Sequence, residues 1–264
     1  MDAFSIRKAK VIRGILIVMA ALVIGPTAAS AQVKVLMSGG FGGAYEKLLP
    51  QFEQTTGIKV ATGSGASQGT GPQTIGGQLA QGVAADVVIM SREGLAELVA
   101  ANRIAAGTDV DLARVGLGVA VRAGAAKPDV SSVDAFKQAA LNAKIISAAS
   151  TSGLWVKSEL FPRLGIADKV NLTLTPRGTG AAAMVAAGEA GLAVMPVSEI
   201  VVAPGVDFAG AIPAEIQMIQ TFSAAVVAGS KEIEASRRLI QFLASAGAAE
   251  AIKKSGMEPV AAPR

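Results

Sequence analysis

Five short turns rich in hydroxyls and glycine carry the chemistry of this chain. They are Ser38-Gly39-Gly40-Phe41, Ser64-Gly65-Ala66-Ser67, the single Ser91, Ser150-Thr151-Ser152-Gly153 and Arg177-Gly178-Thr179-Gly180. Each follows an apolar run and opens a helical pattern. The first backbone N–H groups of a helix lack intrahelical partners, and the helix dipole adds about half a positive charge there. Glycine removes the side chains that would block an approaching anion. Taken singly, Ser or Thr before a helix is a cap, and glycine there serves turn geometry. Five such turns at the same ends of strands describe one anion-facing cleft. Its expected ligand contacts are Ser38, Gly39, Phe41, Ser64, Ala66, Ser67, Ser91, Ser150, Ser152, Gly153, Arg177 and Thr179. Arg177, beside two glycines, is the candidate carboxylate clamp.

Other chemistries are excluded by what the sequence lacks. Histidine and cysteine are both absent. There is therefore no serine–histidine pair, no thiolate nucleophile and no disulfide, and no metal or cofactor is expected. Gly63-Ser64-Gly65 continues as Ala66-Ser67-Gln68, without the third glycine of a dinucleotide fingerprint, and no glycine loop ends in Gly-Lys-Ser/Thr. If proton transfer occurs, the candidates are few. Glu189 and Glu199 flank an apolar run, and each stays open as a base or as a solvated or capping carboxylate. Arg92, Lys157 and Arg177 are the cations near the turns, and Asp86 reads as structural.

The elements that must position these turns alternate. Apolar strand patterns occupy 33–37, 58–62, 86–90, 115–121, 145–147, 172–176, 192–196 and 222–228. Helical patterns fill 44–55, 73–81, 94–101, 133–143, 153–164, 180–187 and 233–255. Ser132 with Asp134 marks a helix start. Such alternation predicts α/β layers with largely parallel sheets. Two stretches, 113–121 and 217–228, read as crossings between two lobes: residues 32–113 plus 224–264 as lobe I and 114–223 as lobe II. The cleft would lie between them at the strand C-termini.

Residues 1–31 read as a secretory signal. Arg7, Lys8, Lys10 and Arg13 precede an uncharged apolar stretch, Pro26 breaks it, and Ala29-Ser30-Ala31 supplies the small residues at a cleavage site. Cleavage after Ala31 removes those four cations and Asp2, so the formal net charge of +4 drops to +1. A nucleic-acid partner then has no electrostatic basis. The expected protein is periplasmic and monomeric.

The order of these pieces resembles the molybdate-binding class of periplasmic solute-binding proteins of ABC importers. The carriers are the turns at Ser38 and Gly65-Ala66-Ser67, Ala85-Asp86-Val87-Val88-Ile89 and Ser150-Thr151-Ser152-Gly153. Gly188-Glu189-Ala190-Gly191 and the closing run from Phe242 to Pro259 complete the set. The resemblance implies a type II two-lobe fold with two crossover strands as hinge, a small anionic ligand and a membrane permease as partner. It adds Ser198 to the pocket. Val194-Met195-Pro196-Val197-Ser198-Glu199 lacks the tyrosine usual in the molybdate binders. With Gly210 to Gln217, it is more similar to a side branch that includes aconitate isomerase. Two functions follow: capture of a small anion for import, or isomerisation of a tricarboxylate on the same scaffold.

Overall fold

The computed structural model describes residues 32–260. The expected signal, residues 1–31, lies outside them. None of the described helices is long and apolar enough to cross a membrane.

The first lobe begins with β1 (Gln32–Met37), a 3₁₀ turn (Gly39–Phe41), α1 (Gly42–Thr56), β2 (Lys59–Ser64), α2 (Ile75–Ala80), β3 (Val87–Ser91) and α3 (Arg92–Ala100). A long strand, β4 (Val110–Arg122), leads out of it. The second lobe continues with α4 (Val133–Ala143), β5 (Ile145–Ala149) and α5 (Ser150–Trp155). A π-helical stretch then runs into α6 (Phe161–Leu164), followed by β6 (Asn171–Thr175), α7 (Gly178–Ala187), β7 (Leu192–Pro196), α8 (Val197–Ile200) and β8 (Val206–Ala211). The chain returns through β9 (Ile219–Val226) and ends in α9 (Ile233–Leu243), α10 (Ala249–Lys253) and β10 (Glu258–Pro259).

All strands join one sheet in the order β2-β1-β3-β9-β4-β7-β5-β6, with β8 and β10 also against β4. Within each lobe three strands are parallel, and one antiparallel strand closes the set. The pairing of β4 changes partway along. Val110 to Gly116 pair with β9, whereas Leu117 to Ala120 pair with β7. At the same point Gln217 pins the returning chain. Its Oε1 accepts the Leu117 N–H at 2.7 Å, and its Nε2 donates to the Leu117 and Ile212 carbonyls at 3.0 and 2.9 Å.

Strand register sets the level of the site. Met37 lies opposite Ser64 and Ile89, and Ala149 lies opposite Thr175, so the turns that follow start from one edge in each lobe. Val87 to Ser91 are buried throughout, the continuous apolar run of a strand covered on both faces. Lobe I packs Phe41, Tyr45, Leu48 and Phe52 of the first helical segment against Leu239 and Leu243. Lobe II packs Phe136, Phe161 and Ile166 against Leu117 and Val119. Each such side chain contributes about 1.5–3 kcal/mol of transfer free energy. Gly40 is required by this packing, because a Cβ at residue 40 would overlap the buried Phe222 ring.

Caps stand where hydroxyls precede helices. Ser132 Oγ accepts the Ala135 N–H at 3.2 Å, as expected, and Thr74 and Ser91 accept from Gly77 and Gly94 at 2.9 and 3.2 Å. Three features differ from the sequence reading. The pattern over 233–255 is two helices, broken where Ser245 Oγ bonds the Phe242 carbonyl at 2.7 Å. The stretch 197–211, which carries no strand or helix pattern in the sequence reading, holds α8 and β8, and β4 begins five residues earlier than the expected 115.

Candidate functional site

Between the lobes lies a narrow cavity of about 20 Å³, room for about one water molecule. Four helical starts converge on it. Ser38 and Gly39 precede α1, Ser150 to Ser152 open α5, Arg177 and Gly178 open α7, and Pro196 and Glu199 belong to the start of α8. Gly65, Ala66 and Ser67 close one side, and Met195, Gln220 and Phe222 form the floor. The lobes meet here in a closed arrangement.

Most serine hydroxyls that the sequence points to are used by the protein itself. Ser91 Oγ bonds Thr151 Oγ1 at 2.8 Å in a buried contact between lobes. Ser150 Oγ accepts the Gln68 N–H at 3.0 Å and donates to the Gln68 carbonyl at 3.3 Å. Ser150 is held at φ 49°, a left-handed conformation that costs a non-glycine residue about 1–3 kcal/mol. Ser64 Oγ accepts from Arg177 Nη1 at 2.8 Å, a third bridge across the cleft. Ser152 donates to the Ala149 carbonyl at 2.9 Å. Several amides are also occupied, since Ser38, Gly65 and Ala66 donate to Ile89, Met37 and Gln73 at 2.9, 3.1 and 2.8 Å.

Three unpaired polar atoms belong to residues that line the cavity. Ser38 Oγ, Gln220 Oε1 and Arg177 Nε are buried without a hydrogen-bond partner. Leaving such groups unmet costs about 1–3 kcal/mol each; a bound anion relieves it for the Ser38 hydroxyl and the Arg177 Nε–H by supplying acceptors, whereas Gln220 Oε1 needs a donor, such as a ligand hydroxyl. Ser67 Oγ accepts the Ser91 N–H at 2.9 Å and keeps its own hydrogen for a ligand. Arg177 is the one cation among the lining residues.

Glu199 is the opposing charge. Its carboxylate has no hydrogen-bond or ion-pair partner among the described residues. Burial pushes its pKa up from 4.5 to about 7, with Arg177 pulling the other way. Its position depends on glycine. A Cβ at residue 178 would collide with Glu199 Oε2, and one at residue 39 would lie 3.4 Å from Oε1.

Of the expected contacts, Ser38, Gly39, Ala66, Ser67, Ser150, Ser152 and Arg177 line this cavity. Phe41 is packed in the lobe I core, and Gly153 is buried under Leu174. Ser64 and Ser91 act one bond away, through Arg177 and Thr151. Thr179 is exposed on α7, and Ser198 is buried beside Gly256, outside the lining. The other charged candidates lie elsewhere. Arg92 is ion-paired with Asp109 and Asp111, Asp86 accepts from the Lys34 N–H and Ser230, and Lys157 and Glu189 are exposed away from the cavity. Gln220, Thr151 and Gly178 also line the cavity, and only the hydroxyl beside Ser150 and the glycine beside Arg177 had a sequence signal. Gln220 falls in the expected crossing 217–228, just ahead of its strand pattern, where sequence offers no marker; it lies within β9. No group of three or more potential metal ligands occurs among the described residues.

Two α/β lobes joined through shared strands and closed over a cavity have the fold of the type II periplasmic binding proteins. More closely, the chain belongs to the family of bacterial extracellular solute-binding proteins, whose family model matches residues 33–258. An aconitate isomerase from Pseudomonas sp. is 40% identical over 234 residues, covering 86% of this chain and 88% of that protein. Among solved structures, the periplasmic molybdate-binding protein of Azotobacter vinelandii matches with a TM-score of 0.64 at 19% identity, over 88% of this chain and all of that one. The sulfate-binding protein SubI of Mycobacterium tuberculosis matches with a TM-score of 0.67 at 17% identity, over 87% of each chain. These two likenesses establish the fold.

Proposed function

We propose that the chain is an isomerase of unsaturated tricarboxylates of the aconitate type, with Glu199 as the proton carrier. The observation that carries this reading is an unpaired carboxylate, its pKa pushed up to about 7 by burial, inside a cavity that also holds Arg177 and the unpaired Ser38 hydroxyl. A site that only holds an anion gains nothing from a carboxylate facing it, whereas a general base works best with a pKa near the working pH. The 40% identity to an aconitate isomerase supports the same reading. Glu199 takes a proton from the methylene carbon of the substrate. The released electron pair forms a double bond to the central carbon while the original double bond opens toward its far carbon. Glu199 then delivers a proton to that far carbon. No group leaves and nothing is oxidised, and because each of the three carbons bears a carboxylate, the shift interconverts the cis and trans acids. Charge spreading onto the carboxylates in the transition state is met by Arg177 and the helix N-termini.

A second reading, delivery of a small anion to an ABC permease, is favoured by the three hydrogen-bonded bridges across the cleft, which suit a closing trap. On either reading residues 1–31 are removed after Ala31, the protein works in the periplasm as a monomer, and residues 32–113 plus 224–264 move against 114–223. Chromatographic separation of the acids after incubation with trans-aconitate tests the enzyme. Wild type is expected to produce cis-aconitate, and Glu199→Gln is expected to lower kcat by about 10²–10⁴ while still being stabilised thermally by the tricarboxylate. No conversion at high enzyme concentration with a retained thermal shift selects transport. A shift with molybdate, tungstate or sulfate alone removes the organic-acid ligand.

A further inference from the structure

A second cavity lies on the far side of Glu199. It runs between α7 and the turn that follows α8, with a volume of about 540 Å³, lined mainly by Ala182, Ala183, Ala186, Val202 and Pro204, with Thr179 at its edge. Gly39, Gly178, Met195 and Glu199 line both this groove and the ligand cavity. The Glu199 carboxylate is therefore part of the partition, and the two glycines beside it keep that partition one side chain thick.

We propose that Glu199 exchanges its proton with solvent through this apolar groove while the lobes are closed over the ligand. The inference rests on the isomerase reading. On the ligand side, the Ser64–Arg177, Ser91–Thr151 and Gln68–Ser150 contacts shut the cleft. Yet Glu199 stays only partly buried, and the groove reaches it from outside. Apart from Glu199, no charged side chain lines the groove. Neutral water can reach the carboxyl by this path. A polyanion cannot, because stripping its hydration along an apolar wall is prohibitive. The groove thus passes protons and excludes substrate, and the hydrogen delivered to product comes from solvent rather than from the substrate's own methylene.

Two measurements test this, one independent of turnover. N,N′-dicyclohexylcarbodiimide adds to a protonated carboxyl to give an O-acylisourea that rearranges to a stable N-acylurea, with no leaving group. At pH 6, with the saturated analogue tricarballylate present to hold the lobes closed, peptide mapping is expected to find the adduct on Glu199. Ala183→Trp, which fills the groove from an exposed helix position, is expected to lose it. Val202→Trp plugs the opposite wall from a residue 54% exposed and guards against a folding defect in the first variant. Labelling that survives both plugs, or that tricarballylate abolishes in wild type, overturns the route. In D₂O, cis-aconitate made by wild type is expected to carry deuterium, and product of the plugged variants to keep the substrate's hydrogen. Equal deuterium in both overturns it. If wild type converts no aconitate, the functional reading fails while the labelling result still decides the route.

Discussion

Replacing Glu199 by glutamine in the ligand-free protein removes one titration and should change how stability depends on pH. The folded protein binds the Glu199 proton more tightly than the unfolded chain, since burial raises the pKa from 4.5 to about 7. Between these values the folded state keeps the proton and the unfolded state has released it. Raising the pH therefore favours unfolding across this window. The stabilisation is complete below pH 4.5 and is lost as pH rises through about 7. At about 1.4 kcal/mol for each tenfold change in proton affinity, the full effect is about 3 kcal/mol. That figure is an upper bound, because Glu199 keeps some exposure. Urea unfolding at pH 5, 6, 7 and 8, followed by circular dichroism, gives the difference between Glu199→Gln and wild type. Subtraction cancels groups shifted the other way, such as Asp109, held low by hydrogen bonding to Arg92. The variant should gain up to about 3 kcal/mol on wild type between pH 5 and 8. A difference that stays flat across that range refutes the claim that burial raises the Glu199 pKa.

Arg177→Ala removes the lone cation of the cavity. Affinity for trans-aconitate, measured by calorimetry, should fall roughly ten- to a hundredfold, as for lost bonds to a charged group, and an unchanged Kd would mean the ligand lies elsewhere. Thr151→Val deletes the buried bond to Ser91 that spans the cleft, so the same titration should show affinity weakened about fivefold, from a loss of about 1 kcal/mol. Gly178→Ala puts a methyl where Glu199 Oε2 sits; isomerisation should drop by about 10² or more, as for a lost base, while circular dichroism stays native. Full activity in Gly178→Ala would mean Glu199 has another working position.

The fold was largely readable because burial imposes periodicity. The continuous apolar run at 87–90 and the alternation of strand and helix patterns led to the α/β reading. What escaped was short or interrupted. The β8 segment Val206–Ala211 contains only one large aliphatic residue and a glycine, and α8 is a single turn. In the site, Ser38 and Arg177 were legible because each sits at a strand-to-helix turn. Glu199 was visible only as a carboxylate after a strand, since its placement depends on a long-range approach to Gly39 and Gly178. Gln220 had no signal, because an inward-facing polar residue in a strand looks like any alternation partner. Ser91 and Ser64 looked like ligand donors, but a hydroxyl does not announce its partner. Theirs are Thr151 and Arg177, 60 and 113 residues away.

The divided pairing of β4 also governs how the molecule is built. Lobe I lacks an inner strand until β9 arrives, and Val110 waits for Ala224. The strands of lobe II instead come from one unbroken stretch of chain. Loop closure over so long a separation is slow, so the second lobe is expected to assemble first, with the first lobe sealed last. Since β4 and Gln217 tie the halves into one sheet, neither can melt alone without tearing the other's edge. Tyr45 in one lobe and Trp155 in the other should therefore report a single unfolding transition.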